Sequence, residues 1–207
     1  MRKIDLACLI GLILTISISG ITTFAGDCNN IRQEVLRFHV MANSDSEADQ
    51  KIKLAVRDAV IEQTDILFEQ VDNKQAAEKM AKEKLPQIEA VAKAELVRHG
   101  STDSVKAELV NMYFNTRIYP EFTLPAGKYD AVRVTIGQGK GKNWWCVVFP
   151  SMCIGVAEDK MDGFTNAEKQ IIQAKPVYEP RFAIIEFLEK FTAGGEPGEP
   201  VANRHTL

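Results

Sequence analysis

Histidine, cysteine and surplus positive charge are all scarce in this chain of 207 residues. Its three histidines, His39, His99 and His205, are too widely spread for the close pairing of a zinc ligand set. Four cysteines are too few for a disulfide-dense scaffold. With 25 Lys and Arg against 28 Asp and Glu the formal net charge is −3, which argues against broad nucleic-acid binding through a basic surface. One hydrophobic run opens the chain and no second one follows, which excludes a bundle of membrane-spanning helices. What is present is a hydrophobic share of 45%, enough to bury a core and too much for a disordered chain.

The opening run reads as an export signal. Arg2 and Lys3 form a positive start, Leu6 to Ile18 is apolar, and Thr23 and Ala25 are small residues at positions −3 and −1 of a cleavage site. Residues 1–25 are therefore expected to be a signal peptide. Extended to Phe24, the stretch is nearly long enough to span a bilayer, so an uncleaved N-terminal anchor is the alternative. Either way the remaining chain lies outside the cytoplasm: a folded domain over 26–191, then a tail over 192–207 whose Gly-Gly-Glu-Pro-Gly-Glu-Pro predicts disorder. Cys8 falls inside the apolar run. Among the others, a Cys146–Cys153 bridge closing a short loop is the first choice, with Cys28 a competing partner or a remaining thiol.

The periodicity then sets out an α+β order. Glu34 to Met41 alternates Leu36, Phe38 and Val40 with Arg37 and His39, a half-buried strand that leaves His39 on its polar face as an ordinary surface histidine. Asn43-Ser44-Asp45 turns the chain, and Ser46 with Asp49 resembles a capping box. A helix from Glu47 to about Val71 carries two apolar stripes, one for a sheet and one for the next helix. Asn73 caps a second helix that Pro86 is expected to kink or divide and Gly100 to end. Period-two segments follow at 105–114, Tyr129–Ile136 and Trp144–Phe149, and Phe182–Phe191 is a final helix. This grouping predicts a single domain with an antiparallel sheet of about four strands and two or three helices packed on it.

Little of this carries reaction chemistry. Gly137-x-Gly139-x-Gly141 with Lys140 and Lys142 has neither the dinucleotide nor the Walker spacing and precedes a strand, so it reads as a flexible hairpin loop rather than a phosphate cradle. A Cys-His-Asp set from His39, Asp45 and the cysteines has nothing to place it together. Trp144 and Trp145, adjacent in a strand, must face opposite ways, one into the core and one outward beside the glycine loop as a contact hot spot. Arg57 and Asp58 are candidate structural anchors of the strand-to-helix turn. No cofactor, metal or small-molecule substrate is expected.

Two blocks of sequence are similar to the stage II sporulation protein R family of endospore-forming bacteria. The first runs from Leu36-Arg37-Phe38-His39-Val40 through Asn43-Ser44-Asp45-Ser46 to Val56-Arg57-Asp58-Ala59-Val60. The second runs from Tyr119-Pro120 through Leu124-Pro125-Ala126-Gly127 to Asn143-Trp144-Trp145-Cys146 and Cys153. The resemblance implies a non-enzymatic signal made in the forespore and exported into the space facing the mother cell. There it would activate a membrane-embedded aspartic protease, stage II sporulation protein GA, so that pro-sigma-E is processed. Membrane contact would come only through the signal, an anchor or that partner. The family offers no catalytic residues to carry over. The expected contact surface is Asn43, Asp45, Gly139, Gly141, Asn143, Trp144 and Trp145. The alternatives are a secreted Cys/His hydrolase or a cell-wall-binding module that uses the tryptophans as a sugar platform.

Overall fold

Leu36, Phe38 and Val40 are all fully buried, and a strand with such a face is best placed where both of its edges are paired. The computed structural model, which describes residues 3–68, 71–119, 122–152, 161, 163–173 and 180–193, puts it there. The elements in chain order are α1 (Lys3–Glu34), β1 (Leu36–Met41), α2 (Glu47–Phe68), α3 (Lys74–Arg98), β2 (Val105–Phe114), β3 (Arg117–Ile118), β4 (Thr123–Leu124), β5 (Gly127–Ile136), β6 (Asn143–Phe149), α4 (Asn166–Ile172) and α5 (Pro180–Ala193). The described residues fall into two compact units. The larger takes Gln33–Phe114 and Lys128–Phe164, the smaller Met1–Arg32, Asn115–Gly127 and Thr165–Leu207.

The larger unit is built on a four-stranded sheet of order β2-β5-β1-β6. β1 runs parallel to β5, with Phe38 beside Val132 and Val40 beside Val134. It runs antiparallel to β6, with His39 beside Trp145 and Met41 beside Asn143. The α+β class stands, but the sheet is mixed rather than antiparallel. Nor do β5 and β6 form a hairpin, because β1 lies between them and takes the inner edge of each.

One face of this sheet is covered by α2 and α3. Ile52, Val56 and Val60, at helical spacing on α2, and Ala81, Ile88, Ala92 and Leu96 on α3 close over Leu36, Phe38, Val132 and Val134. Burying each large aliphatic side chain contributes about 1.5–3 kcal/mol. Ile61 and Phe68, from the second stripe of α2, are buried in the same core. Asn73 does cap α3, its side chain accepting from Ala76 N–H at 2.9 Å, and the helix continues through Pro86 to Arg98. At the outer edge of β2, Glu89 of α3 accepts the Ala107 N–H at 2.9 Å, so that edge group is satisfied from the side.

The opposite face corrects an expectation. Arg37 and His39 are not surface residues: they are 0% and 2% exposed. Alternation shows which residues share a face but not whether that face is itself packed. Here it holds a ring cluster. The Arg37 guanidinium lies 4.1 Å over the Phe114 ring and 5.0 Å from that of Tyr129.

In the smaller unit, α1 runs as one helix from Lys3 through the expected cleavage point to Glu34, so β1 begins at Leu36 rather than Glu34. It is long and apolar enough to cross a membrane, which is compatible with a signal sequence or an anchor. Its last turns are buried at Phe24, Cys28, Ile31 and Arg32. Arg32 donates to the Ala126 carbonyl at 2.9 Å, Phe24 meets Phe182 of α5 edge-on at 5.5 Å, and Thr165 and Glu168 cap α4 reciprocally. Most of the tail, 194–207, lies outside the described residues.

Candidate functional site

Because β5 and β6 flank β1, the seven residues from Gly137 to Asn143 must cross the end of β1, and they cross it as a strap. The strap is bonded to the β1–α2 turn beneath it rather than projecting as a flexible loop. Gly141 N–H donates to Ala42 O at 2.9 Å and Lys140 N–H to Asn43 O at 3.2 Å. Gln138 N–H donates to Asn43 Oδ1 at 3.0 Å, and Lys142 N–H to Asp45 Oδ1 at 2.7 Å.

Two of the glycines are required by this crossing. Gly137 has φ +55°, and a Cβ there would run into the Asn43 side chain. At Gly141 a Cβ would collide with the Ser44 carbonyl, a backbone atom that cannot rotate away.

The turn is braced from α2. Ser46 Oγ accepts the Asp49 N–H at 3.2 Å, the first half of the capping box. The second half is diverted. The Asp49 carboxylate accepts from Ser44 Oγ and, at 3.2 Å, from Asn43 Nδ2, instead of returning to the Ser46 backbone. The hydrogen bond from Ser44 above all holds the Asp49 carboxyl below the usual carboxylate range. Lys53, 6% exposed, donates to Gln50 Oε1 at 2.7 Å and to the Lys142 carbonyl at 3.1 Å, tying strap to helix. Burial pushes its pKa down. Arg57 and Asp58, the candidate anchors of this turn, pair with each other at 2.7 Å near the surface, and Arg57 lies 5.1 Å from the Trp144 ring.

The strap leads straight into Asn143, Trp144 and Trp145 on β6. The indoles face opposite ways, as alternation requires, and both are half-buried, so neither enters the core completely. Trp144 meets Phe38 edge-on at 6.1 Å on the helical side. On the other side Trp145 stacks on His39 at 3.7 Å and meets Phe114 at 4.9 Å. His39 Nε2 lies 2.9 Å from Asn143 Oδ1. Asn43, Asp45, Gly139, Gly141, Asn143 and the two tryptophans thus lie together at one end of the sheet. Ala42, Ser44, Asp49 and Lys53, which hold that end in shape, carried no signal beyond the turn composition around them.

Beside the strap a groove of about 580 Å³ is lined by Met41, Ser104, Glu108, Arg133 and Thr135 among others. Its single carboxylate, Glu108, is shared by two cations, Lys106 at 2.6 Å and Arg133 at 3.1 Å, which lowers the Glu108 pKa, Lys106 contributing most. Among the described residues no group of three or more His, Cys, Asp or Glu is placed to hold a metal ion. Cys146 is disulfide-bonded and so is no nucleophile in that state, while Cys8 and Cys28 remain thiols. Cys153 lies outside the described residues.

Comparison with known proteins places these elements in context. The sequence profile of the family described as Stage II sporulation protein R (spore_II_R) matches residues 32–159, which include the turn, the strap and both tryptophans. A curated relative, "Stage II sporulation protein R" of Bacillus subtilis (strain 168), is 36% identical over 123 residues, 59% of this chain and 55% of that protein. The chain thus matches little more than half the length of that relative. No solved structure matches.

Proposed function

Since the chain belongs to the stage II sporulation protein R family, we propose that it is an exported sporulation signal that works by binding rather than by catalysis. Its target in this reading is a membrane-embedded aspartic protease, stage II sporulation protein GA, and the outcome is processing of pro-sigma-E in the mother cell. The forespore exports it into the intermembrane space. An N-terminal helix compatible with a signal or anchor supports that route.

The observation that carries the binding reading is the braced strap running into Asn143, Trp144 and Trp145. A contact surface works best when it is already ordered, because little entropy is then lost on association. The strap is held by four backbone donors, and its neighbours are half-buried indoles, the side chains most often found at binding hot spots. A ligand that binds the active state of the protease better than the inactive one shifts it by that difference in affinity and no more. Roughly a thousandfold preference corresponds to about 4 kcal/mol.

Co-expression of the full chain with the protease and pro-sigma-E tests the proposal. Processing should require the chain and its N-terminal segment. A Trp145→Ala, Lys140→Ala double variant that still folds should lose at least tenfold in processing. Processing that is the same with and without the chain would sink the reading.

A further inference from the structure

The sheet face turned away from α2 and α3 is only partly packed. Alternation along β5 sends Val132 and Val134 into the helical core and leaves Arg133 and Thr135, both half-buried, on the other side. In the strand register Arg133 stands beside His39, and His39 beside Trp145. One row of side chains therefore leads from the groove beside the strap to the half-buried indole. The strap passes close over Thr135 and Met41 at Gly139, which closes one end of that groove.

The charges in the groove do not balance. Lys106 and Arg133 share Glu108, and among the described residues no second carboxylate lines the walls, so one positive charge is in excess. Asp103, next to Ser104 in the chain, is turned instead to Ser101, whose Oγ donates to it at 2.8 Å. Arg133 is also short of acceptors. It gives one N–H to Glu108 at 3.1 Å, while its Nε is buried without a hydrogen-bond partner among the described residues. Leaving a buried donor unsatisfied costs about 1–3 kcal/mol, which an incoming acceptor can recover. Thr135 Oγ1, on the same wall, reaches Met41 Sδ at 3.9 Å, a weak acceptor.

These features set the chemistry of what fits. An excess of one charge matches a carboxylate, whereas a phosphate dianion would meet Glu108 with negative charge to spare. The volume of 580 Å³ lies within the range of about 300–1,000 Å³ that receives a drug-sized molecule, comparable to a few residues of extended chain. The Lys106 side chain is 68% exposed, so the groove is open-sided and would leave a free small acid largely in water. A segment of a larger partner is held by further contacts beside it, and the row through His39 to Trp145 offers them.

We propose that this groove receives an Asp or Glu side chain from an acidic segment of a protein partner, its carboxylate bound by Lys106 and Arg133 beside Glu108. That assignment rests on the reading that the chain acts by binding, and it adds a charge requirement to the aromatic contact at Trp145. Glu108 competes with the incoming carboxylate for the same two cations. Removing its charge therefore strengthens binding, whereas the loss of a purely structural ion pair would weaken it.

The test uses the full chain in detergent micelles and a fluorescein-labelled deca-glutamate peptide, read by fluorescence anisotropy. Glu108→Gln should tighten binding at least threefold, and Lys106→Gln should weaken it at least threefold. Lys79→Gln removes an exposed charge from α3, on the helical side of the sheet, and should leave binding unchanged. Weakening by both groove variants, an equal effect of Lys79→Gln and Lys106→Gln, or no binding at all overturns the proposal. Displacement of the peptide by an equal concentration of glutarate or inorganic phosphate also overturns it, since that would mark a site for small anions. Processing that does not need the chain, with this binding pattern intact, counts against the activation reading and leaves the groove standing. Processing that needs the chain, with the pattern absent, does the reverse.

Discussion

The imidazole of His39 lies flat against the indole of Trp145, with 3.7 Å between ring centroids and 10° between planes. Asn143, two residues before Trp145 on β6, holds the far side of the ring through its Oδ1 at 2.9 Å from Nε2. A β1 residue thus fixes the tryptophan of the proposed contact surface. His39→Leu keeps bulk but loses the hydrogen bond and the stacking, and should cost about 1–2 kcal/mol by urea denaturation. Tryptophan emission should shift to the red. Unchanged emission would mean that the His39 stack does not hold Trp145.

Gly141→Ala puts a methyl group against the Ser44 carbonyl, so the strap must lift from the turn. Overpacking of this kind costs about 1–3 kcal/mol. Gly163→Ala, where no atom of the described residues lies within 4 Å of the new methyl, should change stability by less than about 0.5 kcal/mol. Thermal melts of the two variants side by side give the answer. Equal melting temperatures would show that the crossing is looser than described.

Asp49 supplies an acid-side test. Its folded-state pKa is depressed, chiefly by Ser44, so its contribution to stability is complete above the ordinary aspartate value of about 3.9 and is lost as pH falls through the lower folded value. Ser44→Ala should raise the Asp49 pKa toward normal in an NMR titration and move acid unfolding to higher pH. Lost hydrogen bonding should also cost about 1 kcal/mol at pH 7. An unmoved Asp49 titration would contradict the brace.

Arg57 and Asp58 separate packing from pairing. Asp58 is well exposed, so Asp58→Ala should alter stability by less than about 0.5 kcal/mol. Arg57 also lies over Trp144, and Arg57→Ala should cost about 1 kcal/mol. Chemical denaturation distinguishes them, and equal effects would leave the Trp144 contact without weight.

Cys146 is expected to be bridged to Cys153, with Cys28 a thiol. Peptide mapping of the unreduced protein should recover the linked pair, and reduction should cost about 2–3 kcal/mol for a loop this short. A linked Cys28 peptide would overturn the assignment.

Local chemistry was legible at the level of single elements. Asn73 showed itself as a cap, and the stripes of α2 and α3 held Ile52, Val56, Val60, Ile88 and Leu96, which are buried, because helix periodicity and capping act over a few residues; Ile66, placed in the same α2 stripe, is instead 66% exposed. The order of strands was not legible. Nothing near Gly137 says that β6 passes to the far side of β1, since pairing is decided between segments far apart in sequence. For the same reason the glycine run looked like a hairpin loop, when its glycines serve a close crossing over Asn43 and Ser44. Arg37 and His39 looked solvent-facing because a polar residue in an alternating strand is ordinary. That the rings of Phe114, Tyr129 and Trp145 would gather over them depends on strands not adjacent in the chain. The turn and strap residues named from motif, Asn43, Asp45 and Gly141, lie at one crossing, although the buried Lys53 that bonds the strap at the Lys142 carbonyl stood in a helix with no mark of its role.

The central position of β1 also bears on how the chain is made. Leu36 faces Asp130 on one side and Phe149 on the other, so the first strand synthesised waits for nearly the last two before it has a neighbour on either edge. Contacts of such long range form late. A chain that leaves the ribosome N-terminus first therefore cannot close this sheet until its second half has followed.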